Sequence, residues 1–273
     1  MNLHHWAVLL VAVLAVGGLS LMPRYVVKNN AKQLETNQAS VVEQKTTHSN
    51  EMTSSDRQSI DSLRQAINKS NKKSYWQNLQ KIVKIFVANH RYDSAAVEVE
   101  HFYTQFLEDS IALRQVGELY YEAFIFAADE VKAANMASNA RRYLAKYVEK
   151  NPEDLDAQAK LAMTLTLSEN PMQAVLTLRE ILAKNPNHSL ALFNLGILSL
   201  RTQQYDKALE KFLKLVSLKP DEWQYYFYAA VCYKELGRKQ EAIEALNTIR
   251  QNEKDPQLLE ATHGLLKELG VNN

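Results

Sequence analysis

The sequence predicts an all-α protein of stacked helical hairpins carried on an N-terminal transmembrane helix. Three observations predict it. The stretch "RTQQYDKALEKFLKLVSLKP" (201–220) orders Tyr, Ala, an aromatic, Leu and Pro in a way that returns, with other letters between, in 168–186 and 235–256. Gly and Pro are scarce, 7 and 6 in 273 residues, which favours long helices over a turn-rich β protein. Residues 6–22 form a run of 17 without a charge.

That run, "WAVLLVAVLAVGGLSLM", spans ~26 Å as a helix, at the short end for crossing a bilayer. Trp6 and Tyr25 bracket it at positions where amphipathic rings favour the interface, and Pro23 stops it. Residues 1–5 carry no Lys or Arg, and Gly18-Leu19-Ser20, the small-x-small site near the end of the run, is weak, so a retained anchor with its flanks (1–28) is preferred to a cleaved signal. Arg24, Lys28 and Lys32 come directly after the run, and the positive-inside rule then places the rest of the chain in the cytoplasm. Export of the chain beyond the anchor is the alternative.

Residues 29–54 are polar and lack aromatics, the composition of a flexible linker. Residues 55–75 read as a short basic helix and lead-in, with Ile60, Leu63 and Ile67 on one stripe. From Trp76 the apolar residues are dense and helical in period.

Between 155 and 256 three consecutive 34-residue units match in one frame without a gap. Unit 189–222 has Leu192, Leu195, Gly196, Ala208, Phe212, Leu215 and Pro220 at positions 4, 7, 8, 20, 24, 27 and 32. Unit 155–188 has Leu161, Ala162, Leu165, Ala174, Leu178, Ile181 and Pro186 at 7, 8, 11, 20, 24, 27 and 32. Unit 223–256 has Tyr226, Ala229, Ala230, Tyr233, Ala242, Leu246 and Ile249 at 4, 7, 8, 11, 20, 24 and 27. The frame extends back to 76–109, and to 110–154, which is 45 residues long. Its eleven extra residues, about three helical turns, are expected around "EAFIFAADEVK", lengthening the first helix of a protruding pair. Small residues at 8 and 20 allow close helix approach, large ones fill the seam, and Pro at 32 ends the second helix. Residues 257–273 read as a capping helix and tail, with Leu258, Leu259, Leu265, Leu266 and Leu269 inward and Lys267 and Glu268 outward.

These residues resemble the tetratricopeptide repeat, whose period is 34. The resemblance covers roughly 76–270 and implies a helical-hairpin solenoid that works as a protein-binding surface. In such repeats first-helix positions 2, 5, 9 and 12 line the concave side. Here they include Leu190, Phe193, Ile197, Leu200, Phe227, Val231 and Lys234, with Asn194 an isolated polar candidate. The Lys and Asn that some members use at positions 5 and 9 to hold a terminal carboxylate are replaced by Ala159, Met163, Phe193, Ile197, Phe227 and Val231. The expected ligand is an amphipathic helix or apolar segment, unless the chain's own C-terminal helix or the helix before Asn68 fills the groove.

Charge is uneven. Residues 24–91 hold 12 Lys and Arg against 5 Asp and Glu, and residues 92–154 hold 6 against 12. In "RQAINKSNKKSYWQNLQKIVK", Arg64, Lys69, Lys72, Lys73, Lys81 and Lys84 accompany Tyr75 and Trp76. Three readings compete: contact with anionic lipid headgroups, nucleic-acid phosphate binding, and a solvated first helix with Trp76 in the core.

No catalytic, cofactor or metal constellation is expected. His90, His101, His188 and His263 are scattered, with His90 and His188 at turns where solvation is the plain reading. Phosphate-loop, GxGxxG, GxSxG and HExxH patterns are absent. The single cysteine, Cys232, excludes an internal disulfide and a CxxC pair. The sequence thus resembles a single-pass protein of a bacterial inner membrane, a non-enzymatic scaffold for protein partners. A membrane anchor for nucleic-acid-processing complexes and a periplasmic assembly or secretion factor remain as alternatives, and a self-assembling solenoid as a third class.

Overall fold

The computed structural model describes residues 52–107, 109–168 and 170–271. The anchor expected at 6–22, and the linker up to its last three residues, lie outside them. Among the described residues no helix is long and apolar enough to cross a membrane. The chain divides into two compact units, which among the described residues are 52–195 and 196–271.

The first unit opens with α1 (Ser54–Gln65). Met52 is buried and the Thr53 hydroxyl accepts the Asp56 N–H at 3.1 Å, so residues 52–54, read as the end of the linker, are packed and capped. A polar composition says nothing of a cap. Helix α1 is seated by buried Ile60, by Asn89 Nδ2 donating to Asp56 Oδ2 at 3.2 Å, and by Arg64 Nε donating to Glu98 at 3.0 Å.

Helix α2 (Lys72–Ala88) starts four residues before the repeat frame, because Asn71 caps it by accepting the Ser74 N–H at 3.0 Å. It pairs with α3 (Tyr92–Gln105). Next come α4 (Ser110–Ile125) and α5 (Glu130–Lys150), then α6 (Leu155–Thr164), extended by a 3₁₀ turn (Leu165–Leu167). The hairpin closes with α7 (Met172–Lys184). Asp109, Asp129 and Asp154 cap α4, α5 and α6 through their carboxylates.

The extra length of 110–154 goes mainly to the second helix, not the first. Helix α5 has 21 residues and α4 has 16. Asp129 nucleates α5 early, and Lys132 Nζ ties that new end to Asp93 at 2.8 Å.

Helix α8 (Ser189–Arg201) runs across the division between the units. The second unit continues with α9 (Tyr205–Leu218), α10 (Trp223–Glu235), α11 (Lys239–Asn252) and α12 (Pro256–Glu268).

The seams follow the repeat positions. Ala95, Ala140, Ala174, Ala208 and Ala242, all at position 20, have no exposed surface. Positions 8 and 24 share one volume. Gly196 stands against Phe212, where an added Cβ would lie 2.7 Å from the ring, and Gly117 stands 2.8 Å from Leu144 by the same measure. Ala162 with Leu178, and Ala230 with Leu246, divide the space more evenly.

The turn inside a hairpin also repeats. His90 and Gln203 take left-handed φ of 55° and 56°, and Gly237 takes 73°. All three stand at position 15. After each, the next N–H reaches back five residues: Arg91 to Phe86, Gln204 to Ser199 and Arg238 to Tyr233, each at 2.8 Å. This six-to-one bond closes the preceding helix.

Candidate protein-binding face and lysine face

The first-helix residues expected to line a binding face fall in both units. In the first unit, Leu190 and Phe193 are half-buried on α8. Asn194 is 3% exposed and its Nδ2 has no hydrogen-bond partner among the described residues. In the second unit, Ile197 and Leu200 are half-buried further along the same helix.

Phe227, Val231 and Lys234 on α10 are occupied by the chain itself. Phe227 is buried in a cluster with Leu258, Leu265, Leu266 and Leu269 of the C-terminal segment, and Val231 packs against that cluster. Lys234 Nζ binds Glu268 at 2.7 Å and Glu235 at 3.5 Å. The C-terminal helix, one of the two segments of the chain expected as an occupant of the groove, is the one packed against α10. Within α12 the buried positions are Leu258, Thr262, Leu265 and Leu266, with Leu269 after it, while Leu259 is half-buried. Thr262 is tolerated there because its hydroxyl donates to the Leu258 carbonyl at 2.7 Å.

The first helices of the first unit carry a polar ladder instead. Gln80 and Gln115 exchange amide bonds at 2.8 and 3.0 Å. Glu118 accepts from Lys160 Nζ at 2.7 Å and Arg114 Nε at 3.2 Å, and Arg114 reaches Asp154 at 3.3 Å. Burial works against the Arg114 guanidinium, but Glu118 and Asp154 outweigh it and raise its pKa.

On the second-helix side, Glu100 is held by three donors. Tyr120 Oη donates at 2.5 Å, Arg142 at 2.9 Å, and Tyr143 Oη also donates. Burial pushes the Glu100 carboxyl up, but the phenol bonds and the Arg142 charge outweigh it and hold it below the usual range. Tyr143 is pushed up to about 12 by burial and by its bond to Glu100. This cluster escaped sequence reading. Its donors lie 20 to 43 residues from Glu100, and no local pattern joins them to it.

The basic stretch divides. Arg64 is bound to Glu98, and Lys72 pairs with Asp109 at 2.8 Å and lies 5.4 Å from the Phe106 ring centre. Tyr75 and Trp76 face inward, their rings 4.9 and 4.8 Å from Phe102. Lys69, Lys73, Lys81 and Lys84 are exposed. None of these four forms an ion pair among the described residues, and Lys81 touches only the Asn78 amide oxygen, at 3.5 Å.

Two other side chains differ from expectation or gain a role. His188 is not solvated: its side chain is 10% exposed, Nδ1 accepts the Ala191 N–H at 3.2 Å, and Nε2 faces Asp156 at 3.3 Å. It caps α8, a role that composition around Pro186 does not announce. Cys232 is buried, and burial pushes its thiol up to about 12, the state of an unreactive packing residue. Among the described residues no group of three or more His, Cys, Asp or Glu could hold a metal ion.

A family profile described as tetratricopeptide repeat matches residues 168–222. That stretch is thus a tetratricopeptide-repeat sequence, within the span read as repeats. A second profile, described as regulator of microtubule dynamics protein 1-3, matches residues 197–270, nearly the span of the second compact unit. Among solved structures, a thermophilic tetratricopeptide-repeat protein of Thermus thermophilus is similar at 19% identity and a TM-score of 0.56, over 70% of this chain and 98% of that one. A tetratricopeptide-repeat protein of Parabacteroides merdae is similar at 16% identity and 0.52, over 80% and 93%. At these identities the likeness is one of fold. Anaphase-promoting complex subunit 3 of Dictyostelium discoideum is 32% identical over 89 residues, which is 32% of this chain and 9% of that protein.

Proposed function

We propose that this tetratricopeptide-repeat protein is a non-enzymatic adaptor that holds protein partners at a bacterial inner membrane, tethered through residues 6–22. The observation that carries the binding role is helix α8. Its first-helix positions Leu190, Phe193, Ile197 and Leu200 place four apolar side chains on one face and leave them half-buried. On α10 the equivalent positions are taken up by the C-terminal segment. A half-covered apolar stripe suits an amphipathic segment laid along it. The tether raises the local concentration of whatever is bound.

A photo-crosslinking residue placed at 190, 193 or 197 of the full chain tests this in cells. A discrete protein adduct is expected at these positions, absent when Lys254 is the labelled site, and lost on Phe193→Glu in a 197-labelled chain of unchanged helicity. Adducts that ignore Phe193→Glu, or none at any of the three, would overturn it. The three cations after the apolar run favour repeats on the cytoplasmic side. Protease added to intact spheroplasts should then leave the repeats uncut until lysis, and cleavage before lysis places them in the periplasm.

A further inference from the structure

We infer that the lysine face of α2 rests on an anionic lipid surface. The inference deepens the tethered reading above and rests on it.

Helix α2 carries four lysines and not one carboxylate in 17 residues. At 100° per residue, Lys73, Lys84 and Lys81 fall within an arc of about 80°, along roughly 16 Å of helix. Lys69 precedes them in the turn, where its carbonyl accepts from Gln105 at 2.8 Å. The strip is rigid, because Leu79, Ile82, Val83 and Phe86 bury the opposite side of the helix.

The carboxylates of the packed elements are engaged elsewhere. On α1, Asp56 accepts from Asn89, and Asp61 faces Arg64 at 3.5 Å. On α3, Asp93 binds Lys132, Glu98 binds Arg64 and Glu100 binds Arg142. Asp109, ahead of α4, binds Lys72. The neighbouring first helices carry both signs, as in Arg114 with Glu118 and Asp156 with Lys160. A cap that only needed solubility would mix charges in the same way, whereas α2 presents one sign alone.

The chemistry selects lipid over single-stranded nucleic acid. Nucleic-acid grooves place aromatic rings beside their cations for bases to stack on. Here Tyr75 and Trp76 turn into the core against Phe102. Lysine is a compact, hydrated charge suited to a diffuse anionic surface rather than bidentate recognition. Each lysine at such a surface shifts partitioning about fivefold.

The test is amine acetylation with mass-spectrometric readout on the full chain, reconstituted in phosphatidylcholine vesicles or in vesicles with about a third phosphatidylglycerol. Lys73, Lys81 and Lys84 should be acetylated several-fold more slowly on anionic vesicles, with Lys254 and Lys267 unchanged, and high salt should erase the difference. The joint variant Lys73→Glu, Lys81→Glu, Lys84→Glu, all at exposed sites, should restore Lys69 reactivity there. Equal reactivity on both vesicles would overturn the inference. So would protection of these lysines by single-stranded RNA on neutral vesicles, with none by phosphatidylglycerol. Retention in neutral vesicles through an alkaline wash reads the anchor by itself. If the anchor fails, the footprint on added anionic vesicles still decides the lysine face.

Discussion

Repeats 110–154 and 223–256 obey one packing rule at two lengths. The second has a first helix of 13 residues, a turn of three and a second helix of 14. The first has 16, four and 21. Seven of the eleven extra residues therefore lengthen the second helix, three the first and one the turn. The seam is kept. Gly117 meets Leu144 at the positions where Ala230 and Leu246 stand, and Leu144 and Leu246 both lose all their exposed surface. Length is added at the turn ends of the helices, away from the Gly117–Leu144 seam, where Lys132 reaches Asp93 and Phe126 stacks on Tyr92. The turn changes with it. The regular repeat closes on left-handed Gly237, while Phe126 and Ala127 in the long one close α4 on Glu122 and Phe124 without a positive φ.

The largest test of this likeness removes the shared seam residue. Leu144→Ala and Leu246→Ala should each cost about 2–5 kcal/mol in urea unfolding of the full chain. A Leu144→Ala loss under half of that for Leu246→Ala would mean the insertion loosens the seam. Next is the glycine. Gly117→Val puts branched carbon into Leu144 and should cost about 1–3 kcal/mol, while Ala230→Gly should cost only about 1 kcal/mol. Smaller still is the turn. Gly237→Ala meets no atom within 4 Å, so its expected loss of about 1 kcal/mol is conformational alone. By the same cause Gln203→Gly, at φ 56°, should raise the urea midpoint.

The smallest effect is electrostatic and belongs to Glu100 of repeat 76–109, which Tyr120, Arg142 and Tyr143 of the long repeat hold. Glu100 has a folded pKa below its ordinary 4.5. Its contribution is therefore complete above pH 4.5 and is lost as pH falls through the folded value. Glu100→Gln should lower stability by about 1 kcal/mol or less above that range and remove this part of the acid slope. Urea midpoints collected from pH 3 to pH 6 check it, and a variant that keeps the wild-type slope would place the titration elsewhere.

Much of the fold was legible because repeat packing is local in sequence. Small residues at 8 and 20 and large ones at 24 recur every 34 residues, so Ala208, Phe212 and Leu215 could be read with Ala242, Leu246 and Ile249. The site was less legible. Lys72 and Lys73 are adjacent in sequence, yet Lys72 turns to Asp109 and Lys73 to solvent. Phe193 and Phe227 hold the same repeat position, yet only Phe227 is packed with the C-terminal leucines. A repeat position states which way a side chain points, not whether another element arrives to cover it.

By itself the sequence determined the helical class, the hairpin period, the length excess of 110–154 and the single-signed charge of α2. All of these follow from periodicity and composition within a few turns of helix. Tertiary structure alone decided that the excess lengthens α5, that His188 caps α8, that Glu100 gathers Tyr120, Tyr143 and Arg142, and that α12 takes up Phe227 and Lys234. Each of those depends on atoms brought together from distant parts of the chain, by apolar packing for Phe227 and for the rest at distances of about 3 Å, where a hydrogen bond or ion pair is made or lost.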